Sequence, residues 1–319
     1  MEYAGELTTA EGCRLIDAIA DYAKPLLILT GGEPMSRADI YDLARRAADR
    51  GLRVAMAPCG HLLTPDTARQ LLDAGVRRIS ISLDGADAAT HDAFRGAPGA
   101  FEAALRGLRG AREAGLEFQI NTTVSRHNVH QLPSILDLAA SQGAAGFDLF
   151  FLVPTGRGAA LKELEISAPD YECALQWVAD AAARSPLAIK TTCAPHYARF
   201  APPSAAAPGR TATRPASGCM AGRGFVFVSH RGILQPCGFL DLPCGNLRTA
   251  NFDFRTLCET APVFRALRDV NTYRGKCGIC EYRRACGGCR ARAYAISGDY
   301  LGPEPACDYT PRGEEIPTV

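Results

Sequence analysis

The chain contains Leu26-Leu27-Ile28-Leu29-Thr30-Gly31-Gly32-Glu33-Pro34, an apolar run that leads directly into a glycine-rich turn. A short apolar run bounded by turn residues is typical of a strand that is buried on both faces of a parallel sheet. Glycines at the carboxyl end of such a strand let a ligand approach the backbone closely. The stretch therefore predicts a parallel α/β architecture with a ligand site at this turn.

The alternation of strands and helices continues on both sides of this stretch. Thr8 and Glu11 have the spacing of a capping box, and Ser36 and Thr64 stand where two further helices are expected to begin. Helices are predicted at 7–23, 36–49, 64–74, 86–95, 98–114, 129–142 and 168–184, and strands at 26–30, 53–57, 78–83, 117–124 and 147–153. No strand precedes the first helix, so we expect a partial (β/α) barrel that lacks its first strand and leaves 26–30 as an exposed or unsupported edge.

Polar and glycine clusters follow each predicted strand, at the edge where parallel sheets bind ligands. Each cluster also has a plain interpretation. Cys59 and His61 fit loop residues, Asp84 fits a helix N-cap, and Arg157 fits a solvated arginine. Their shared position at one edge favours the functional interpretation.

Composition excludes several classes of protein. The 319 residues carry a net charge of +1 and are 47% hydrophobic, which allows a large domain plus a small one and argues against nucleic-acid binding. No apolar run approaches the roughly 20 residues that span a membrane. Thirteen cysteines without an export signal predict a reducing, cytoplasmic setting in which thiols are free to hold metal.

The carboxyl-terminal part is rich in cysteine. Two C-x2-C pairs lie five residues apart, Gly278, Gly287 and Gly288 allow tight turns around them, and three more thiols flank the pairs; the seven are Cys219, Cys237, Cys277, Cys280, Cys286, Cys289 and Cys307. Disulfides, structural zinc and iron–sulfur clusters are the three alternatives. Seven well-spaced cysteines exceed what one tetrahedral metal needs, which favours iron–sulfur ligation.

The remaining cysteines and the domain boundaries follow from their surroundings. Cys244 is a further candidate ligand, whereas Cys13, Cys173 and Cys258 are expected to be core thiols. Cys193 and His196 fit either a metal or substrate loop, or one buried cysteine and one surface histidine. A hairpin over 225–229 and 232–235 would bring Cys219 and Cys237 to its open end. We therefore divide the chain into a core at 1–200, a linker at 201–218 and a cysteine-rich domain at 219–319.

The cysteine spacing resembles the auxiliary-cluster (SPASM) domain of radical SAM enzymes. The pattern is Cys219-x12-Gly232-x4-Cys237 followed by Cys277-x2-Cys280-x5-Cys286-x2-Cys289-x17-Cys307, and Thr30-Gly31-Gly32-Glu33-Pro34 resembles the motif that holds the amino group of S-adenosylmethionine (SAM) in that family. The resemblance implies that Ser82, Asp84, Asn121 and Arg157 lie near the ribose and carboxylate of SAM. It also implies one or two auxiliary 4Fe-4S clusters, of which one would be held by Cys277, Cys280, Cys286 and Cys307, and the other by Cys219, Cys237 and Cys289 with Cys193 or Cys244.

Longer motifs are similar to the radical SAM branch that modifies tetrapyrrole side chains in haem and modified-haem biosynthesis. They are Phe150–Gly158, Thr192–Tyr197, Ser229–Gly232, Pro236–Leu240 and Cys277–Tyr294. The resemblance implies that a radical takes a hydrogen from a propionate or acetate side chain of an iron porphyrinoid, which then loses carbon dioxide or acetate. It also implies a reductant such as ferredoxin or flavodoxin. Candidate carboxylate-binding residues are Arg157, Arg283, Arg290 and Arg292, and His196 or His230 is a candidate ligand of substrate iron.

The motif C-x3-C-x2-C, which holds the SAM-binding cluster in that family, is absent from the chain, and upstream of Thr30 there is only Cys13. We expect that Met1 lies downstream of the true start; the alternatives are a degenerate paralogue or a chain completed by a partner. No catalytic residue is assigned. The other functional interpretations are a peptide-modifying radical SAM maturase and a non-catalytic iron–sulfur or zinc module.

Overall fold

The computed structural model describes residues 4–200 and 218–312, with the exception of the Arg157 side chain. Its centre is a sheet of six parallel strands that follow one another in chain order and curl into a half-barrel. The strands are β1 (Leu26–Leu29), β2 (Arg53–Met56), β3 (Val76–Ser82), β4 (Glu117–Val124), β5 (Gly146–Phe151) and β6 (Ala188–Thr192). This confirms the predicted partial (β/α) barrel. The predicted linker at 201–218 lies almost entirely outside the described residues.

Helices connect the strands, as parallel pairing requires. They are α1 (Thr9–Tyr22), α2 (Ile40–Asp49), α3 (Pro65–Asp73), α4 (Ala88–Arg95), α5 (Ala100–Ala114), α6 (Leu132–Gln142) and α7 (Ala168–Arg184), with 3-10 turns at Pro34–Ser36, Val129–Gln131, Gly156–Leu164, Pro195–Arg199 and Val270–Thr272. The Thr8 hydroxyl accepts from the backbone N–H of Glu11, and the Glu11 carboxylate accepts from that of Thr8, as the capping box predicted.

The first strand is an edge of the sheet. β1 pairs only with β2, and Leu26 and Ile28 are 47% and 45% exposed. Burial of β1 on both faces was therefore a wrong prediction, whereas the exposed edge is confirmed. β6 was missed, because Ala-Ile-Lys-Thr-Thr at 188–192 has neither a continuous apolar run nor a clean alternation.

One predicted helix cap, the alternative interpretation of Asp84 as a cap and one predicted core thiol are wrong. Ser36 ends a 3-10 turn, because Pro34 and the Glu33 side chain close that turn first, and α2 begins only after Asp39. Asp84 does not cap α4, since Asp87 accepts from Thr90 in that role. Cys173 is exposed, because it lies on the outer face of α7.

Asp84 instead braces the carboxyl edge of the sheet. Its fully buried carboxylate accepts from the Thr123 N–H at 2.7 Å and from Arg95 Nε at 2.6 Å. Its backbone N–H donates to His91 Nδ1 at 2.9 Å, and its carbonyl accepts from Asn128 Nδ2 at 2.9 Å. These bonds fix the ends of β3 and β4 relative to each other and occupy both carboxylate oxygens.

The cysteine-rich part carries a small antiparallel sheet and four short helices. The sheet contains β7 (Phe227–Val228), β8 (Ile233–Gln235) and β9 (Gly245–Asn246), and the helices are α8 (Phe254–Thr260), α9 (Pro262–Arg268), α10 (Gly275–Ile279) and α11 (Arg290–Ser297). Pairing of β7 with β8 confirms the predicted hairpin, and β9 is an addition to it.

The two parts of the chain share one hydrophobic core, in which Ile16 and Ile19 of α1 belong to the same buried cluster as Phe254 and Phe264. At its border Arg248 donates to both carboxylate oxygens of Glu11, at 2.6 and 2.9 Å. Hydrogen bonds from Arg248 lower the pKa of Glu11 to about 2, so the pair is charged at neutral pH. Among the described residues no helix is both long and apolar enough to cross a bilayer.

Candidate metal centres and ligand site

The Gly31–Pro34 turn holds its glutamate in a fixed position. Glu33 Oε1 accepts from the Met35 N–H at 2.9 Å, and Oε2 accepts from the Cys59 N–H at 2.8 Å. His61 Nδ1 lies 3.6 Å from the same carboxylate. The donor atoms of Glu33, Cys59 and His61 all lie within 4.8 Å of one another, so the ends of β1 and β2 form one polar surface at the carboxyl edge.

A row of polar residues crosses the sheet next to this edge. Ser82, Asn121, Asp148 and Lys190 are register partners on β3, β4, β5 and β6 in turn. Register partners in a sheet point to the same face. The structure therefore brings together the predicted residues Ser82 and Asn121.

Asp148 and Lys190 complete that row and were missed by the sequence analysis. The Asp148 carboxylate is buried, lies 3.0 Å from Lys190 Nζ and accepts from the Thr192 hydroxyl at 3.0 Å. Burial raises the pKa of Asp148, and the Lys190 ammonium opposes that rise. The available signal was one charged residue inside each of the two later strands, Asp148 in β5 and Lys190 in β6, which an apolar-run criterion overlooks.

Four cysteines line one pocket in the cysteine-rich part. We call Cys277, Cys280, Cys286 and Cys307 the Cys277 group. Backbone N–H groups point at three of the sulfurs: Gly288 donates to Cys286 at 3.3 Å, Tyr282 to Cys280 at 3.4 Å and Glu304 to Cys277 at 3.3 Å. Such donors stabilise thiolates, whereas burial raises the pKa of the Cys280, Cys286 and Cys307 thiols. A bound metal overcomes this effect of burial.

Consecutive left-handed glycines shape the wall of this pocket. Gly287 and Gly288 both have φ of +66°, which disfavours any side chain there. A Cβ on Gly288 would lie 3.1 Å from Cys277 Sγ and 2.7 Å from the Cβ of Glu304. The turn between Cys286 and Cys289 is therefore possible only with glycine at this position.

Four further cysteines form a second cluster, which we call the Cys289 group: Cys193, Cys219, Cys237 and Cys289. A hydrogen bond from the Cys193 thiol lowers the pKa of Cys289 to about 7. Burial raises the pKa of Cys237 to about 12, and the neighbouring Cys219 and Cys289 add to that rise. Cys193 follows β6 with a left-handed φ of +59°, which is costly for a residue other than glycine and turns the chain sharply at this point.

Cys244 does not join either group. Its Sγ donates to the Leu242 carbonyl at 3.3 Å, and it packs against the main core, where Cys258 is its neighbour. The Cys244 N–H donates to the Leu234 carbonyl of β8 at 2.7 Å, so Cys244 lies outside the Cys289 group, in which Cys193 is the fourth cysteine. The geometry does not favour the ligand role predicted for Cys244.

Buried charged residues lie between the two groups. The Cys289 N–H donates to Glu304 Oε2 at 2.7 Å, and Arg292 Nη1 lies 3.4 Å from the same oxygen. Arg292 also donates to the carbonyls of Leu152 at 2.9 Å and Cys193 at 3.1 Å.

Three of the four arginines predicted to bind substrate carboxylates have other partners. Arg290 and Arg292 are fully or almost fully buried, so neither is available to a substrate. Arg283 donates to the Gly278 carbonyl at 2.9 Å. Arg157 belongs to the 3-10 turn after β5, and its side chain lies outside the described residues.

The two predicted histidines differ in burial. His196 is fully buried, lines the pocket of the Cys277 group, and has no hydrogen-bond partner at either ring nitrogen. The alternative interpretation of His196 as a surface histidine is therefore wrong, whereas its candidate role as a ligand of substrate iron stays a prediction. Such an unpartnered buried ring next to four cysteines fits a bound group that supplies acceptor atoms. His230 is exposed in the turn between β7 and β8.

The two cysteine groups therefore fit 4Fe-4S clusters. Each provides four thiols, and the Cys277 group adds directed N–H donors and an unpartnered imidazole. The SAM-binding cluster is different, since the described residues do not include the C-x3-C-x2-C motif and none of them is assigned to it.

Comparisons with known proteins agree with this geometry. Residues 1–139 match the family model described as the Radical SAM superfamily. An AdoMet-dependent heme synthase of Nitratidesulfovibrio vulgaris is 48% identical over 97% of this chain and 86% of its own length. An AdoMet-dependent heme synthase of Methanosarcina barkeri is 49% identical over 97% and 89%.

The fold has solved counterparts. The structure of native anSMEcpe with bound AdoMet and a Kp18Cys peptide superposes with a TM-score of 0.71 at 16% identity, over 94% of this chain and 86% of that one. This likeness concerns the fold alone, whereas the sequence relatives reach almost half identity over nearly the whole chain. The chain therefore belongs to the radical SAM superfamily of enzymes, in the family of the AdoMet-dependent haem synthases.

Proposed function

We propose that this enzyme removes or oxidatively decarboxylates propionate or acetate side chains of an iron porphyrinoid in haem biosynthesis. The observation that carries the proposal is the pair of buried four-cysteine groups beside the carboxyl edge of a SAM-type half-barrel. The near-half identity to AdoMet-dependent haem synthases supports the same substrate class.

The ligand site for SAM comprises the turn Thr30–Pro34 and the polar row of the sheet. Glu33 is held by two backbone N–H groups, so its carboxylate is preorganised for the amino group of SAM. Ser82 and Asn121 offer a hydroxyl and an amide on the same face. Asp84 lies next to them and fixes the ends of β3 and β4 through its hydrogen bonds. SAM in this family supplies the organic radical that takes a hydrogen atom from the substrate.

Two cluster ligand sets follow from the cysteine geometry. The Cys277 group holds one 4Fe-4S cluster, and the Cys289 group holds the other with Cys193 as its fourth ligand. Cys193 comes from the loop after β6, so the second cluster fastens the half-barrel to the cysteine-rich part. Iron–sulfur centres of this kind carry electrons.

Substituting Cys193 tests the second ligand set. In Cys193→Ser we expect the iron content to fall by about four atoms per chain, because a 4Fe-4S cluster loses a thiolate ligand. Cys244→Ser is the matched control and should keep its full iron, since Cys244 lies outside both groups. The measurement is iron and sulfide analysis of anaerobically purified protein. Full iron in Cys193→Ser together with iron loss in Cys244→Ser would contradict the assignment.

An aromatic surface next to the Cys289 group fits a flat macrocycle. Phe150 is a register partner of Thr123 and Thr192. It lies two residues after Asp148 on β5 and therefore on the same face as the polar row. Phe239 follows Cys237 by two residues, is 38% exposed, and has its ring centroid 6.4 Å from that of Phe150. The nearby Lys190 ammonium is suited to a carboxylate of the macrocycle.

Phe239→Ala tests this surface. We expect it to weaken binding of an iron porphyrin that carries propionates by about tenfold, the scale of one aromatic contact. SAM binding should not change. The control is Phe225→Ala, because Phe225 is a similarly exposed phenylalanine, at 42%, in the same part of the chain. The affinity is measured from the absorbance change on titration; equal affinities for the two variants would argue against this binding surface.

The electrons come from a low-potential reductant, for which we propose ferredoxin or flavodoxin in the cytoplasm. The proposed cluster ligation needs reduced thiols, which suits a reducing compartment.

The proposed function is tested directly by turnover. Enzyme from its own cells is incubated anaerobically with SAM, reduced flavodoxin and an iron porphyrinoid that carries propionates. We expect 5′-deoxyadenosine to accumulate only when the porphyrinoid is present, and mass spectrometry to find a macrocycle that has lost a carboxyl group. Unchanged macrocycle, or turnover with a peptide in its place, would reject the proposal.

A further inference from the structure

Within the described part of the chain, the buried ring of His196 has no hydrogen-bond partner. Its side chain is fully buried, and neither Nδ1 nor Nε2 has a partner. A buried N–H without an acceptor destabilises the folded state, so such groups in folded proteins nearly always have a partner. A missing acceptor at this position therefore points to a group that is bound there.

The surroundings of the ring leave one direction open. His196 lies on the 3-10 turn Pro195–Arg199 that follows β6. On one side it packs edge-on against Tyr171, with centroids 4.9 Å apart and planes at 72°. On the other side it lines the pocket that also contains Cys277, Cys280, Cys286 and Cys307.

Burial and the neighbouring charges together determine the pKa of the His196 ring. Burial lowers the pKa of His196 to about 4; Glu304 opposes this shift, and Arg292, Arg199 and Lys276 reinforce it. A neutral ring carries one N–H donor. A protonated ring would also carry a donor, so the presence of an N–H does not depend on the titration.

We propose that His196 donates a hydrogen bond to a sulfur atom of the iron–sulfur cluster held by the Cys277 group and thereby raises its reduction potential. The inference rests on the proposed ligation by that group. His196 acts as a positioning residue and not as a ligand, because four thiols already line the pocket and satisfy a 4Fe-4S cluster.

The direction of the effect follows from charge. Reduction adds an electron to the cluster, so a donor pointing at sulfur stabilises the reduced form more than the oxidised form. The N–H groups of Gly288, Tyr282 and Glu304 act in the same sense on the cysteine sulfurs. His196 adds a side-chain donor that a substitution can remove without disturbing the backbone.

The loop 193–196 would then serve both clusters. Cys193 belongs to the Cys289 group, and His196 lies three residues later in the pocket of the Cys277 group. A single segment of the half-barrel would thus supply a ligand to one cluster and a potential-setting donor to the other.

Three variants of His196 test the donor. His196→Phe keeps the volume of the ring and removes the N–H. His196→Asn and His196→Gln place an amide N–H near the positions of Nδ1 and Nε2. His130→Phe is the control, because His130 is exposed and remote in sequence from both groups. The cluster signal is identified as the electron paramagnetic resonance signal that disappears in Cys280→Ala.

The readouts are the midpoint potential of that signal and its coupling to exchangeable deuterons after transfer into D₂O. For His196→Phe we expect full iron content, loss of one deuteron coupling, and an equilibrium constant for reduction about tenfold lower, which is about 59 mV for a one-electron couple. Either the Asn or the Gln variant should restore the wild-type potential, and His130→Phe should match wild type.

Other results distinguish failure of the role proposed for His196 from failure of the ligand set proposed for the Cys277 group. An unchanged potential and an unchanged deuteron coupling in His196→Phe would overturn the role of His196 alone. Iron loss in all three His196 variants would also overturn it, since the ring would then be a ligand or a packing element. Retention of every iron–sulfur signal of the wild type in Cys280→Ala would instead reject the ligand set on which the inference rests.

Discussion

The buried contact between Glu304 and Arg292 is the constraint on which the arrangement of the two cysteine groups depends. Glu304 is fully buried and Arg292 almost so, which is costly unless every polar atom has a partner. Here the partners are the backbone groups of the sites themselves. The Glu304 carboxylate accepts from the N–H of Cys289, and the Glu304 N–H donates to Cys277 Sγ. Burial raises the pKa of Glu304, but Arg292 together with the other neighbouring cations and the Ala306 N–H outweighs burial and lowers the pKa, so the carboxylate stays ionised.

The same pair ties the cysteine-rich part to the half-barrel. Arg292 donates to the carbonyls at the end of β5 and to that of Cys193 after β6. The carboxyl edge of the sheet and both cysteine groups therefore share one hydrogen-bonded network. A radical enzyme that passes electrons between centres needs fixed distances, and a network of this kind provides them. Removing either partner would leave a buried charge alone and would loosen both sites together.

Much of the fold could be read from local sequence patterns. β4 and α7 occur at the predicted residues, because a clean strand pattern and a Ser167 cap mark their ends. β6 could not be predicted, since residues 188–192 show neither an apolar run nor a clean alternation and form a strand through their pairing with β5. Ser36 shows a second limit, because the Glu33 side chain and Pro34 close a short turn before α2 begins.

Some features of the candidate site could also be predicted from local sequence, whereas others depend on the three-dimensional structure. Spacing alone brings Cys277, Cys280 and Cys286 together, since two C-x2-C pairs lie close in the chain. Cys193 rather than Cys244 joins the Cys289 group because the backbone turns sharply, with a left-handed φ, at Cys193 after β6. No local sequence pattern predicts a left-handed φ at a cysteine. The prediction that Arg290 and Arg292 bind substrate carboxylates was wrong for a similar reason. A basic helix normally faces solvent, whereas these two arginines of α11 point inward and donate to carbonyl oxygens. Asp148 and Lys190 become meaningful only once strand register is known.

The central claim is that two four-cysteine groups hold two separate iron–sulfur clusters, one of them fastened to the half-barrel through Cys193. The most direct measurement is anomalous diffraction at the iron edge from anaerobically grown crystals. Our account predicts two iron peaks, one surrounded by Cys277, Cys280, Cys286 and Cys307 and the other by Cys193, Cys219, Cys237 and Cys289. A single iron peak, a peak at the zinc edge in either group, or Cys244 as a ligand in place of Cys193 would contradict it.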